Sequence, residues 1–244
     1  MVDDYGPIGK GASEARSVLA ENGEEYIIKG PSLVPEHPTV GANEWIAARL
    51  AEALGLPILD HRILTMGGEL FFASAWMQKP SFYPAIDAEI FQRCENRDRI
   101  YGVVIFDCWF INQDRHGANL VVRHSRNGNH LMILNDHSHL LVSPLGPQKS
   151  EDLMGHLNDP PSRFIRLPFI RDGITNPSEI RAVLDQIEAL SDTQIRAAVN
   201  STPVKLLSVA EQGIYGDFLV ERRACLREVM HHGSAAFPNL EGTI

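Results

Sequence analysis

What most narrows the folds open to this chain is a compact polar loop held between two apolar stretches. Residues 88–111 form a long segment whose second half is strongly apolar, with Val103, Val104, Ile105, Phe106, Trp109 and Phe110, and the pattern predicts one or two partly buried helices. That segment delivers Asp114-Arg115-His116-Gly117-Ala118-Asn119, and an apolar strand over 120–123 follows at once. A second short strand over 131–134 comes after an Arg-Asn-Gly-Asn turn at 126–129 and ends in Asn135-Asp136-His137-Ser138-His139. A hairpin closed in this way brings Asn119 and Asp136 side by side at its open end. Two oxygen-bearing side chains meeting there make a candidate Mg²⁺ site, because this hard cation takes oxygen ligands and shares them with phosphates. Asp114 then faces the reacting centre as a base or orienting carboxylate. A metal clamp, a positioned nucleophile and cations on the phosphates are most of what phosphoryl transfer requires.

The first third of the chain is expected to be rich in strands. Glu25-Tyr-Ile-Ile-Lys29 has β-branched and aromatic character, and Gly30 and Pro31 close it. Residues 43–54 read as a helix with Ile46, Leu50, Ala53 and Leu54 at helical spacing, stopped by Gly55. A strand over 58–66, a Gly67-Gly68 turn and a strand over 69–77 predict a hairpin. Loops follow Pro144, and helices are expected over 177–190, 191–200 and 215–230, with Ser191 and Gln194 as a capping box. His231, His232 and the last dozen residues read as a frayed tail. The composition shift places a boundary at 77–81.

Charge and composition exclude several classes. The balance of 22 Lys and Arg against 31 Asp and Glu, net charge -9, argues against direct nucleic-acid binding, which normally needs a basic footprint. No run of 18 apolar residues occurs, so no membrane span is expected. Three cysteines with no close pair argue against a disulfide scaffold or a cysteine zinc site, and together with an N-terminus unlike a secretory signal they predict a cytoplasmic protein.

Taken singly, each candidate has an ordinary explanation. An Asp or Asn at a turn caps a backbone, Lys29 ends a strand in solvent, and Glu44 favours a helix N-terminus through the dipole. His116 buttresses its loop by hydrogen bonds, Arg115 pairs with a carboxylate or a backbone carbonyl, and His137 and His139 have metal-like spacing without a visible partner cluster. In the glycine-rich segment, Gly9-Lys10-Gly11 supplies two glycines of a G-x-G-x-x-G pattern but Glu14 stands where the third belongs.

In combination, Asp114-Arg-His-x-x-Asn119 followed by Asp136 resembles the catalytic and metal-binding loops of HipA-like kinases and, more distantly, of phosphatidylinositol-kinase-like enzymes. Asn135-Asp-His-Ser-His139 is similar to the Asp-Phe-Gly-His segment of the lipid-kinase branch, with Ser138 where glycine is usual. Tyr26-Ile-Ile-Lys29-Gly30 resembles the strand whose lysine holds the nucleotide phosphates, and Asn43-Glu44 the acidic position that pairs with it. The 48–57 stretch and the tail motifs at 190–195, 202–203 and 219–226 resemble HipA-like proteins as well, so that the likeness spans residues 5 to 230. It implies a two-lobed α+β protein-kinase-like fold, with a strand-rich N-terminal lobe over 1–78 and a helical C-terminal lobe over 79–244. It also implies an ATP- and Mg²⁺-dependent Ser/Thr protein kinase. In that reading Asp114 and His116 are catalytic, Lys29, Glu44 and Ser13 bind nucleotide, Asn119 and Asp136 hold the metal, and a protein substrate and an antitoxin-like partner follow by analogy. The alternatives are a nucleotide-binding pseudokinase or interaction module, and a small-molecule or lipid kinase.

Overall fold

The computed structural model describes residues 3–7, 14–75, 86–124, 130–140, 150–161 and 167–244. Five antiparallel strands form the first sheet: β1 (Asp3–Pro7), β2 (Arg16–Leu19), β3 (Glu25–Lys29), β4 (His61–Met66) and β5 (Glu69–Ala75), in the order β1-β2-β3-β5-β4. Alternation in β3 buries Tyr26 and Ile28 against Val18, Phe71 and Ala73, a small core of this sheet's own. Lys29, the last residue of β3, is buried beside them and pairs in register with Phe72.

Helix α1 (Val40–Ala53) follows β3 and presses its first turn against the strand's end. Gly41 makes this approach possible: a Cβ there would stand 3.0 Å from the Lys29 carbonyl oxygen. Gly55, at φ +64, ends the helix in the left-handed region as expected.

The larger core gathers around α3 (Ile100–Phe110), every residue of which is buried. A short helix, α2 (Ala88–Gln92), precedes it, so the 88–111 segment holds two helices and the second is wholly rather than partly buried. The hairpin of β6 (Leu120–His124) and β7 (His130–Leu134) pairs Leu120 with Leu134, the register expected from sequence. Then come α4 (Pro168–Gly173), α5 (Pro177–Glu188), α6 (Asp192–Asn200) and α7 (Val209–His232). The Ser191–Gln194 capping box forms as predicted, and a second one, Ser208 with Glu211, starts α7 earlier than its apolar spacing indicates.

Two features depart from the sequence reading. β1 and β2 were not foreseen, because Asp-Asp-Tyr-Gly-Pro has little strand propensity and is held by pairing with β2 through an irregularity between Asp4 and Gly6. The tail is not frayed: His231 and His232 complete α7, Phe237 is buried, the Glu241 N–H donates to the Thr175 carbonyl, and Arg181 donates to that of Thr243. The 77–81 boundary and the 126–129 turn lie outside the described residues.

Arg222 of α7, fully buried, donates to the main-chain oxygens of Cys108, His156, Leu157 and Asp159, and so ties α3 to the chain around 156–159. Beside it Cys108 is buried, as is Cys94 further along the core. Burial pushes the Cys94 thiol up to about 11 and that of Cys108 higher still. At pH 8 neither holds an appreciable thiolate, so iodoacetamide should label both far more slowly in the folded protein than in 6 M guanidinium; equal rates read by mass spectrometry would contradict this packing.

Candidate functional site

The polar loop begins with a backbone irregularity. Ile111, a β-branched residue at φ 54, turns the chain out of α3 through the left-handed region, and the Asn112 N–H returns to the Asp107 carbonyl at 2.8 Å. Asn112 is buried and bridges the turn. Its amide nitrogen donates to Asp107 Oδ1 at 2.8 Å, and its amide oxygen accepts from the Asp114 N–H at 3.0 Å.

Arg115 then locks the loop in place. Its guanidinium grips Asp107 with two hydrogen bonds, at 2.8 and 3.0 Å, while another nitrogen donates to the carbonyls of Asn119, at 2.5 Å, and Asn135, at 2.7 Å. One side chain thereby joins α3, the loop and the far end of β7. Both alternatives read for Arg115, a carboxylate and a backbone carbonyl, are realised. Asp107 escaped notice in the sequence, although a lone carboxylate inside an apolar helix demands a buried cation.

Asn119 lies at the hairpin's open end with its amide nitrogen donating to the Asp114 carbonyl at 2.8 Å, and its own carbonyl accepts from the Asn135 N–H at 3.2 Å. The donor end of its amide is used within the loop, so the oxygen is the end suited to a cation. Asp114 keeps its carboxylate one-third exposed, 3.7 Å from His116 Nε2 and 4.0 Å from His139 Nε2. His116 accepts the Ala118 N–H on Nδ1, at 3.2 Å, which is the buttress expected of it.

Asp136 adopts φ 56, a left-handed conformation that Asp tolerates, and its Oδ1 accepts the Ser138 N–H at 3.2 Å. The turn aims the carboxylate at the strand-rich lobe, where Lys29 Nζ meets Asp136 Oδ1 at 2.8 Å and Glu44 Oε1 at 2.5 Å. Glu44 also accepts the His137 N–H at 2.9 Å and the Ser138 hydroxyl at 3.0 Å, and neighbouring Asn43 donates to the carbonyls of Ser138 and Leu140. The lysine, the helix carboxylate and the hairpin-end aspartate are thus one connected group.

Burial disfavours charge on all three, and their mutual attraction outweighs it. Lys29 is held above its ordinary value by Asp136 and Glu44, and both carboxyls are held below theirs by Lys29.

His137 and His139 face different carboxylates: His137 Nδ1 lies 3.5 Å from Glu44 and His139 lies near Asp114. No cluster of three or more His, Cys, Asp or Glu that could hold a metal occurs among the described residues. The donors Asn119 and Asp136 nonetheless fit Mg²⁺, which is commonly bound through one or two carboxylates with substrate phosphates completing its shell. Ser13 and the glycine-rich segment at 8–13 lie outside the described residues. The residues that sequence reading missed are Asp107 and Asn112, and Asn43 figured there only as the neighbour of Glu44.

A family model for HipA-like kinases matches residues 5–143. No curated protein matches the chain. Among solved structures, the Helicobacter pylori proinflammatory kinase CtkA is similar over 99% of this chain and 97% of that one, with 13% identity and a TM-score of 0.68. HipA of Shewanella oneidensis MR-1, solved in a toxin–antitoxin complex with HipB and operator DNA, is similar over 98% of this chain and 69% of its own, with 13% identity and a TM-score of 0.54. A Golgi casein kinase covers 99% of this chain at 11% identity and a TM-score of 0.50. These likenesses identify a kinase fold, mixed α+β, with an antiparallel sheet first and helices after it. With more than half of its length matched by the family model, and with the loop, strand and helix motifs meeting in one site, the chain belongs to the HipA-like kinase family.

Proposed function

We propose that this chain is an ATP- and Mg²⁺-dependent phosphotransferase acting as a Ser/Thr protein kinase. The observation that carries the reading is the buried group formed by Lys29, Glu44 and Asp136, which joins the sheet, helix α1 and the hairpin end. Lys29 binds the α- and β-phosphates, and Glu44 keeps its ammonium in place. Asp114 orients the acceptor hydroxyl or takes its proton, while His116 holds the shape of the loop. Asn119 and Asp136 are the residues that would hold Mg²⁺, which when bound neutralises charge on the phosphates.

In this reading the nucleotide lies between a lobe of residues 1–78 and one of residues 79–244. The solved HipA stands in a toxin–antitoxin complex with HipB, and a comparable antitoxin-like partner in a cytoplasmic setting is part of this proposal. The net charge of -9 weighs against a membrane-bound lipid substrate, and no helix among the described residues is long and apolar enough to cross a membrane.

The test is incubation of the purified protein with Mg²⁺ and γ-labelled ATP beside an Asp136→Ala variant. Label on serine or threonine of the protein itself or of added substrate protein, absent with the variant, is the expected result. Nucleotide binding without transfer would identify a non-catalytic nucleotide binder, and equal labelling by the variant would remove Asp136 from the site.

A further inference from the structure

A lysine ammonium has three N–H donors, and on Lys29 all three face protein oxygens. Glu44 Oε1 lies at 2.5 Å, Asp136 Oδ1 at 2.8 Å and Ser138 Oγ at 2.9 Å. A phosphate oxygen approaching this buried nitrogen must therefore replace one of them. Two are carboxylates, whose charge-assisted hydrogen bonds to an ammonium are the stronger kind. The third is a neutral hydroxyl. Ser138 also donates that hydroxyl to Glu44 Oε1 at 3.0 Å, so it loses no donor satisfaction when Lys29 turns away. Glycine at this position could make neither contact, and the side chain is almost fully buried, at 4% exposure.

We infer that Ser138 is a positioning residue whose hydroxyl occupies the phosphate-binding donor of Lys29 in the empty protein and is the partner that the nucleotide displaces. The inference rests on the nucleotide site proposed above. Its consequence has a definite sign. Without the hydroxyl, one N–H of a buried ammonium lacks a partner, a state that costs free energy until a phosphate fills it. Removing Ser138 Oγ therefore tightens nucleotide binding, whereas loss of a merely structural contact would weaken it. The gain belongs to the phosphates alone, since Ser138 touches Lys29, Glu44 and Asp136, the groups assigned to the phosphate and metal end of the ligand.

Calorimetric titration with ATP and with adenosine, in EDTA and again in Mg²⁺, tests this on the wild type, Ser138→Ala and Ser138→Thr. In EDTA, Ser138→Ala should bind ATP roughly 3- to 10-fold more tightly, adenosine affinity should not change, and Ser138→Thr should behave as wild type. With Mg²⁺ the gain should shrink, because a cation at Asp136 offers Lys29 a second way to free a donor. Unchanged or weaker ATP binding by Ser138→Ala, or an equal gain for adenosine, would overturn the inference. Should the alanine variant not fold, Ser138→Gly also lacks the hydroxyl and carries the same expectation. A wild type that binds no ATP would bring down the nucleotide site and this inference together. Wild-type binding without the tightening would bring down the role of Ser138 alone.

Discussion

Asp114→Asn is expected to yield a folded, nucleotide-binding protein whose phosphotransfer is slower by roughly 10²- to 10⁴-fold, the usual contribution of a positioned general base. Asparagine preserves the size and planarity of the group and removes its basicity. The ties that fix residue 114 are main-chain ones. Its N–H donates to Asn112, and its carbonyl accepts from Asn119. The carboxylate itself is one-third exposed, and the imidazoles of His116 and His139 stand 3.7 and 4.0 Å from it, beyond hydrogen-bond distance. Stability should consequently stay within about 0.5 kcal/mol of wild type. The informative pairing is a phosphotransfer rate with a nucleotide dissociation constant. A variant retaining its rate within a few-fold would show that Asp114 is not the base, and lost nucleotide binding would place it elsewhere in the site.

Asp107→Ala should act in the opposite manner, on stability first. Asp107 and Arg115 are both buried, at 2% and 3% exposure, and the guanidinium grips the carboxylate with two hydrogen bonds. Removing one partner of such a pair leaves the other charge desolvated, at a cost of about 3–5 kcal/mol. Arg115 retains the carbonyls of Asn119 and Asn135, but Asn112 loses the acceptor that closes the turn after α3. Stability in proteins of this kind totals about 5–15 kcal/mol, so a shift of this size moves a urea midpoint substantially. Asp107→Asn, which keeps an acceptor oxygen but no charge, should fall between wild type and the alanine variant. A loss below about 1 kcal/mol for Asp107→Ala would mean that the loop is held by something other than this pair.

The parts of the fold that were legible in the sequence are those governed by neighbours along the chain. The β4–β5 hairpin announces itself through Gly67-Gly68, α6 through the Ser191–Gln194 box, and the β6–β7 register through two apolar runs of matching length. The elements that stayed hidden owe their existence to distant partners. β1 is a poor strand former that pairs with β2, and the chain after α7 is pinned by Phe237 in the core and by contacts with Thr175 and Arg181. Neither carries a local signal that periodicity can detect.

The site divides along the same line. Residue types and their order pointed to Asp114, Asn119 and Asp136, because phosphate chemistry needs hard oxygen donors and a base, while Lys29, Glu44 and His116 entered through the resemblance to HipA-like kinases. What the pattern could not contain is the pairing itself. Asp107 reads as one charge in an apolar run until the left-handed turn at Ile111 folds Arg115 back over it. Ser138 reads as a departure from glycine until Lys29, 109 residues away in sequence, arrives at 2.9 Å. By itself the sequence determined the local elements and the chemical inventory, since both follow from propensity, capping and side-chain type. Only the tertiary structure decided which donor meets which acceptor, because a buried charge settles on whichever partners the packed lobes bring within hydrogen-bond reach.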